Sequence, residues 1–81
     1  MPTARLPRER QPALGEALKR NRLRLGWSQE ELALQAGIDR TWISRIERGG
    51  NPEWATVKKL AGAMDITMLE LIALVERIEL E

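Results

Sequence analysis

The sequence predicts an all-α domain of five short helices, and three observations carry that prediction. From residue 13 onward apolar residues recur at helical rather than strand spacing. Ser28 with Glu31, and Thr67 with Glu70, each place a hydroxyl and an acid three residues apart just before an apolar run, the signature of a reciprocally capped helix start. Glycines at Gly26, Gly37 and Gly49-Gly50 punctuate the ends of those runs. The chain of 81 residues holds one domain, which at this size buries only about 60–65% of its unfolded surface. It has no cysteine and no histidine, which removes a disulfide framework, the usual zinc ligands and thiol redox chemistry. No apolar window approaches the length of a membrane span, and a soluble, cytoplasmic protein is expected.

Pro2, Pro7 and Pro12 interrupt a basic, apolar-poor opening, so residues 1–12 read as a flexible arm and the folded domain as residues 13–81. Leu14, Ala17, Leu18 and Leu25 then share one face of a first helix that ends at Gly26, with Arg22 on the same stripe. Ser28 caps the second helix, with Glu31 completing the box and Trp27 and Leu32 spaced as a hydrophobic staple. Leu32, Ala33 and Ala36 form a narrow inward face before Gly37. Asp39 caps a third helix, with Ile38 and Ile43 as its staple. The gap of about three residues between second and third helices is that of a helix-turn-helix.

On the third helix Ile43, Ile46 and Glu47 point inward, while Thr41, Ser44, Arg45 and Arg48 line the outer face with Arg40 at its start. An arginine and a glutamate each stand alone as the charge on an apolar stripe, so Arg22 is expected to pair with Glu47. Asn51-Pro52 turns the chain into a fourth helix with Trp54, Val57, Leu60, Ala61 and Met64 inward and Asp65 as its stop. Thr67 and Glu70 open the last helix, with Ile66 and Leu71 as staple. That helix carries more apolar surface than one face can hide, which predicts a two-fold homodimer with Leu71, Leu74, Val75 and Ile78 as contacts.

Charge is uneven although the net value is only +1. Residues 1–26 carry seven basic and two acidic groups, and residues 52–81 three basic and six acidic, so one end suits a polyanion and the other does not. The stretch LGWSQEELALQAGIDRTWISRIERGGNPEWATVKKLAGAMDI, with Arg22 upstream, resembles the Cro and phage-repressor helix-turn-helix family, also called the xenobiotic-response-element family. Among its small stand-alone members, which include phage repressors, restriction-modification controllers and antitoxins, the RTWIS and IERG segments resemble the controllers.

The resemblance implies a lambda-repressor-like five-helix fold and a sequence-specific regulator that binds double-stranded DNA. It further implies that Arg40, Thr41 and Arg45, with Ser44 beside them, face base edges, that Gln29 contacts a phosphate and buttresses the third helix, and that Arg22 and Glu47 form a buried ion pair. Asn21 and Trp42 depart from the family pattern, standing where an apolar residue and a smaller or tyrosine residue are usual.

Arginine fits base readout because its planar fork donates twice to guanine; Arg45 is the first choice, and Arg40 is placed either to read a base or to hold a phosphate. Phosphate contacts are expected from the amide ends near Gln29 and Asn51, from Arg48, and from Trp42, whose ring is alternatively a cover for Ala33. A homodimer would set two recognition helices about 34 Å apart on a near-palindromic operator. The competing class is a protein-interaction module that binds a partner, antitoxin-like, through the apolar last helix. No cofactor or metal is implied, and nothing resembles a nucleophile and base set, so an enzyme is not expected.

Overall fold

The structure is a computed structural model that describes residues 10–81; residues 1–9, most of the expected arm, lie outside the described residues. Five helices follow in order: α1 (Pro12–Arg24), α2 (Gln29–Ala36), α3 (Arg40–Glu47), α4 (Trp54–Ala63) and α5 (Met68–Glu79), with no strand among the described residues. Pro12 opens α1, a position where its missing N–H costs nothing. Arg10 and Gln11 are bonded rather than loose: the Gln11 N–H donates to the Gly49 carbonyl at 2.9 Å, and the Arg10 guanidinium to the Arg48 carbonyl, both at the end of α3.

The predicted caps form, with one exception. Ser28 Oγ accepts from the Glu31 N–H at 2.9 Å, but the Glu31 carboxylate accepts from Gln35 instead of returning to Ser28, so this box is half made. At α5 both halves are present, Thr67 Oγ1 accepting from the Glu70 N–H and Glu70 Oε1 from the Thr67 N–H. Asp39 Oδ2 accepts from the Thr41 N–H and starts α3. Asp65 takes the left-handed conformation at φ +58°, which stops α4 where the sequence placed the stop.

Leu18, Leu32, Ile43, Ile46, Leu60, Met64 and Leu71 form the centre of the core, one or more from each helix. Two inward assignments and one dimer-contact assignment fail. Leu25 keeps the angular register of the stripe but is the residue after the last of α1, and it lies at the surface. Trp54 is 60% exposed at the first position of α4, above the layer that Val57 fills. Leu71 is 1% exposed and belongs to this chain's own core, so it is unavailable to a second copy. Leu74, Val75 and Ile78 are half-buried against that core, whereas Leu69 and Leu80 are the fully outward apolar groups of this segment, with Ile72 between.

Candidate nucleic-acid interface

The third helix is amphipathic across its short length, and the two faces have separate work. Ile43 and Ile46 are buried in the core, and Trp42 is half-buried beside them, its ring packed against the core. Across the helix Arg40, Thr41, Arg45 and Arg48 are exposed, as the i, i+4 and i+7 spacing requires. The Arg40 and Arg45 guanidinium groups have no hydrogen-bonding partner among the described residues. Arg48 donates to Ser44 Oγ at 2.6 Å, so the Ser44 hydroxyl, half-buried, is already engaged.

What holds this face outward is a polar node under the C-terminal turn of α3. Arg22 Nε donates to Glu47 Oε2 at 2.7 Å and Nη2 to Oε1 at 3.0 Å, with the two side chains 8% and 5% exposed. Arg22 Nη1 also donates to the Trp27 carbonyl at 2.6 Å. Gln29 Nε2 donates to Glu47 Oε1 at 2.9 Å. One carboxylate therefore takes three N–H groups from two other helices, which satisfies a buried charge that would otherwise cost several kcal/mol, on the order of a few per ion. The expected pairing of Arg22 with Glu47 is present, and the Gln29 amide supports α3, as the resemblance implied, by donating from its side-chain nitrogen to the same carboxylate.

One glycine brings the backbone close enough for this node, and a second makes room for Arg10. Gly15 is buried where α1 crosses the end of α3, and a Cβ there would drive into the Ile46 carbonyl oxygen and lie 3.1 Å from the Glu47 carbonyl. Gly49 has φ +101°, and a Cβ there would lie 3.1 Å from the Arg10 guanidinium. Sequence reasoning read Gly49 as a helix stop and passed over Gly15; the signal for Gly15 was an isolated glycine between Leu14 and Ala17 on an apolar stripe.

The structure brings Gln29 and Arg40 together around a shallow hollow of about 490 Å³ lined also by Arg22, Ser28 and Glu30. The first-turn amides of α2 open at this place, the usual seat for an anion. The corresponding end of α4 differs: its N-cap is Glu53, an exposed acid that makes no capping bond, and Asn51 lies two residues further back on the surface. At α2 the Ser28 hydroxyl already takes the Glu31 amide and Glu30 and Glu31 lie in the first turn, whereas the first turn of α4 carries no acid.

Among the described residues no helix is long and apolar enough to cross a membrane. The helix-turn-helix family profile matches residues 18–71. A hypothetical transcription factor of Neisseria meningitidis is 42% identical over 52 residues, which is 63% of this chain and 49% of that protein. The HTH-type transcriptional regulator SlrR of Bacillus subtilis is 32% identical over 60 residues, 72% of this chain and 40% of that one. The chain thus spans about half the length of the curated relatives it matches. Among solved structures, the restriction-modification controller protein C.Esp1396I in complex with its natural 35 base-pair operator superposes with a TM-score of 0.82 at 25% identity, covering 88% of this chain and 95% of that one. The controller C.AhdI of Aeromonas hydrophila gives 0.73 at 39% identity, covering 75% and 94%. With a family match over two thirds of its length, the chain belongs to the helix-turn-helix family of the Cro/C1 type.

Proposed function

We propose that this chain is a sequence-specific double-stranded DNA-binding transcription regulator that acts as a homodimer on a near-palindromic operator, in the cytoplasm. The observation that carries the reading is the division of α3: one face is locked into the core and pinned by Arg22, Glu47 and Gln29, and the other presents Arg40 and Arg45, without a hydrogen-bonding partner among the described residues, with Thr41 between them. A rigid, cationic helix of this width enters the major groove, where Arg45 reads guanine O6 and N7 and Thr41 offers a methyl group to thymine. Arg40 sits beside the α2 amide end and serves either a base or the phosphate held there; Gln29 and Asn51 flank the backbone. Ser44 and Arg48 work as a pair, Arg48 reaching a phosphate while bonded to the Ser44 hydroxyl. Trp42 supports this surface through packing, with its half-exposed edge beside the backbone.

Support for regulation also comes from similarity: the matched relatives carry the names of transcriptional regulators, and C.Esp1396I binds its operator as a tetramer. The dimer would use the apolar surface that the monomer leaves open. Trp54, Leu69 and Ile72 are 60%, 81% and 43% exposed, and Trp54 and Ile72 border a groove of about 220 Å³ between α4 and α5. A second copy covers such a surface by self-complementary packing.

Fluorescence anisotropy with a duplex from upstream of the chain's own gene, against a scrambled duplex of equal length at two salt concentrations, tests the reading. Binding to the upstream duplex is expected to exceed the scrambled one by about a thousandfold, with a steep salt slope. Equal, weak binding to both would replace this reading with a scaffold role for the helix-turn-helix.

A further inference from the structure

We infer that Arg10 is a positioning residue for DNA binding: from the lead-in to α1 it caps the end of α3 and fixes where that helix holds the Arg48 side chain. The helix closes first on its own glycines, the Gly49 N–H donating to the Ile46 carbonyl at 3.0 Å and the Gly50 N–H to the Arg45 carbonyl at 2.9 Å. That motif leaves the next carbonyls, those of Arg48 and Gly49, without a partner inside the helix. The lead-in takes both: the Arg10 guanidinium donates to the Arg48 carbonyl and the Gln11 N–H to the Gly49 carbonyl. The Gln11 carbonyl in turn accepts from the Gly15 N–H at 3.0 Å, so the residue that starts α1 also finishes α3.

The Arg48 carbonyl and the Gly49 N–H belong to one planar peptide group. Its nitrogen is bonded back into α3 and its oxygen forward to Arg10, so the plane at the cap is held from both sides. The Arg10 guanidinium lies over Gly49, where a Cβ would come within 3.1 Å of Nη2 and 3.3 Å of Nε, and a φ of +101° keeps that place for glycine. A cation at the carbonyl end of a helix also lies on the favourable side of the helix dipole. Arg48 is thus tied twice, its carbonyl to Arg10 and its guanidinium to the Ser44 hydroxyl at 2.6 Å. Helix ends fray unless they are tied, and Arg48 is the cap residue itself. The tie from Arg10 keeps the Arg48 guanidinium on the outer face of α3, where the DNA backbone is met.

The DNA half of this inference rests on the regulator reading, so the test has one arm without DNA and one with it. Without DNA, amide hydrogen exchange followed by NMR compares the full chain with its Arg10→Ala variant. The Gly49 N–H is expected to exchange about tenfold faster, the loss of one charge-assisted hydrogen bond, while the Leu71 N–H in the core keeps the parent's rate. An unchanged rate at Gly49 would overturn the inference by showing that Arg10 caps nothing. Equal acceleration at Gly49 and Leu71 would overturn it by making Arg10 a stabiliser of the whole fold. With DNA, anisotropy measures Arg10→Ala, Arg48→Ala and the double variant on the upstream duplex. Arg10→Ala should weaken binding about three- to tenfold when Arg48 is present, and by less than about twofold once Arg48 is alanine. A loss of the same size in both backgrounds would show Arg10 gripping the DNA itself, and no loss in either would show a cap without consequence for binding; each overturns the positioning role. A parent protein with no preference for the upstream duplex would remove the regulator reading and the DNA half together, and the Gly49 exchange rate would still decide the cap.

Discussion

Arg20 and Arg22 lie two residues apart on the same helix and each clasps glutamate, yet they are different objects. Arg20 donates to Glu16 and Glu81 at 2.7–2.9 Å from a side chain that is 41% exposed. Arg22 donates to Glu47 over a similar range of distances from a side chain that is 8% exposed. Geometry alone does not separate them; access of water does. Around Arg20 water competes for both partners and either can be lost without leaving a bare charge in the interior. Around Arg22 the loss of one partner strands the other in the core. Arg22→Ala or Glu47→Ala should therefore destabilise the protein by about 3–5 kcal/mol in chemical denaturation. The double replacement Arg22→Met with Glu47→Leu should recover most of that loss, because it removes both charges and keeps the volume. If the single variants unfold at the parent's denaturant midpoint, burial is not what distinguishes the two arginines.

The same node depends on an approach of backbone that only glycine allows. Gly15→Ala puts a methyl group against the Ile46 carbonyl and pries α1 from the end of α3, with an expected cost of about 1–3 kcal/mol. A stability within error of the parent would mean that α3 slides and that the node is less rigid than its bonds imply. This variant also marks the limit of what was legible beforehand. Each stripe of α1 and α3 was visible as a periodic pattern with one misplaced charge, and pairing the misplaced charges by elimination gave the correct contact. The crossing itself was invisible, because the reason for a glycine at position 15 lies in a carbonyl more than thirty residues away. Likewise Gln29 was read on resemblance as a phosphate ligand that buttresses the third helix, while the atom it holds there, Glu47 Oε1, required knowing how α2 sits over α3. Trp54 and Leu71 were misassigned for a related reason: periodicity tells which residues share a face, and not which face the neighbouring helices reach. On α5 two adjacent apolar stripes competed, and the one containing Leu71 turned inward.

Two arginines of α3 extend the comparison to an exposed face. Arg45 has no hydrogen-bonding partner among the described residues and Arg48 is tied to Ser44, so they should fail differently. Arg45→Ala is expected to lower discrimination between the operator and a duplex altered at one guanine by about 1–3 kcal/mol. Arg48→Ala should weaken all duplexes alike and reduce the salt slope by about one. Both are read by anisotropy across a set of single-base operator variants. A uniform loss in Arg45→Ala would move that residue from the bases to the backbone.

The smallest effect expected lies at Arg20, and its dependence on pH is the sharpest way to separate it from Arg22. The hydrogen bond from Arg20 holds the Glu81 carboxyl below its ordinary range; desolvation opposes it, and the nearby positive charges of Arg20 and Arg77 add a weaker push in the same direction as the bond. A folded-state pKa below the unfolded one means that the native chain holds its proton less tightly than the unfolded chain does. The resulting contribution to stability is present at neutral pH, above the unfolded value, and is lost as pH falls through the folded value, in the acidic range below that of an ordinary glutamate. Because the pair is open to water, salt should erase the same contribution at neutral pH. Arg20→Ala is thus expected to melt with the parent at high salt, and to lie below it by only a small margin at low salt and neutral pH. That margin should close when the pH is lowered. A large deficit that persists at high salt would show that the strap from α1 to the end of α5 works by packing rather than by charge, and would remove the contrast between the two arginines.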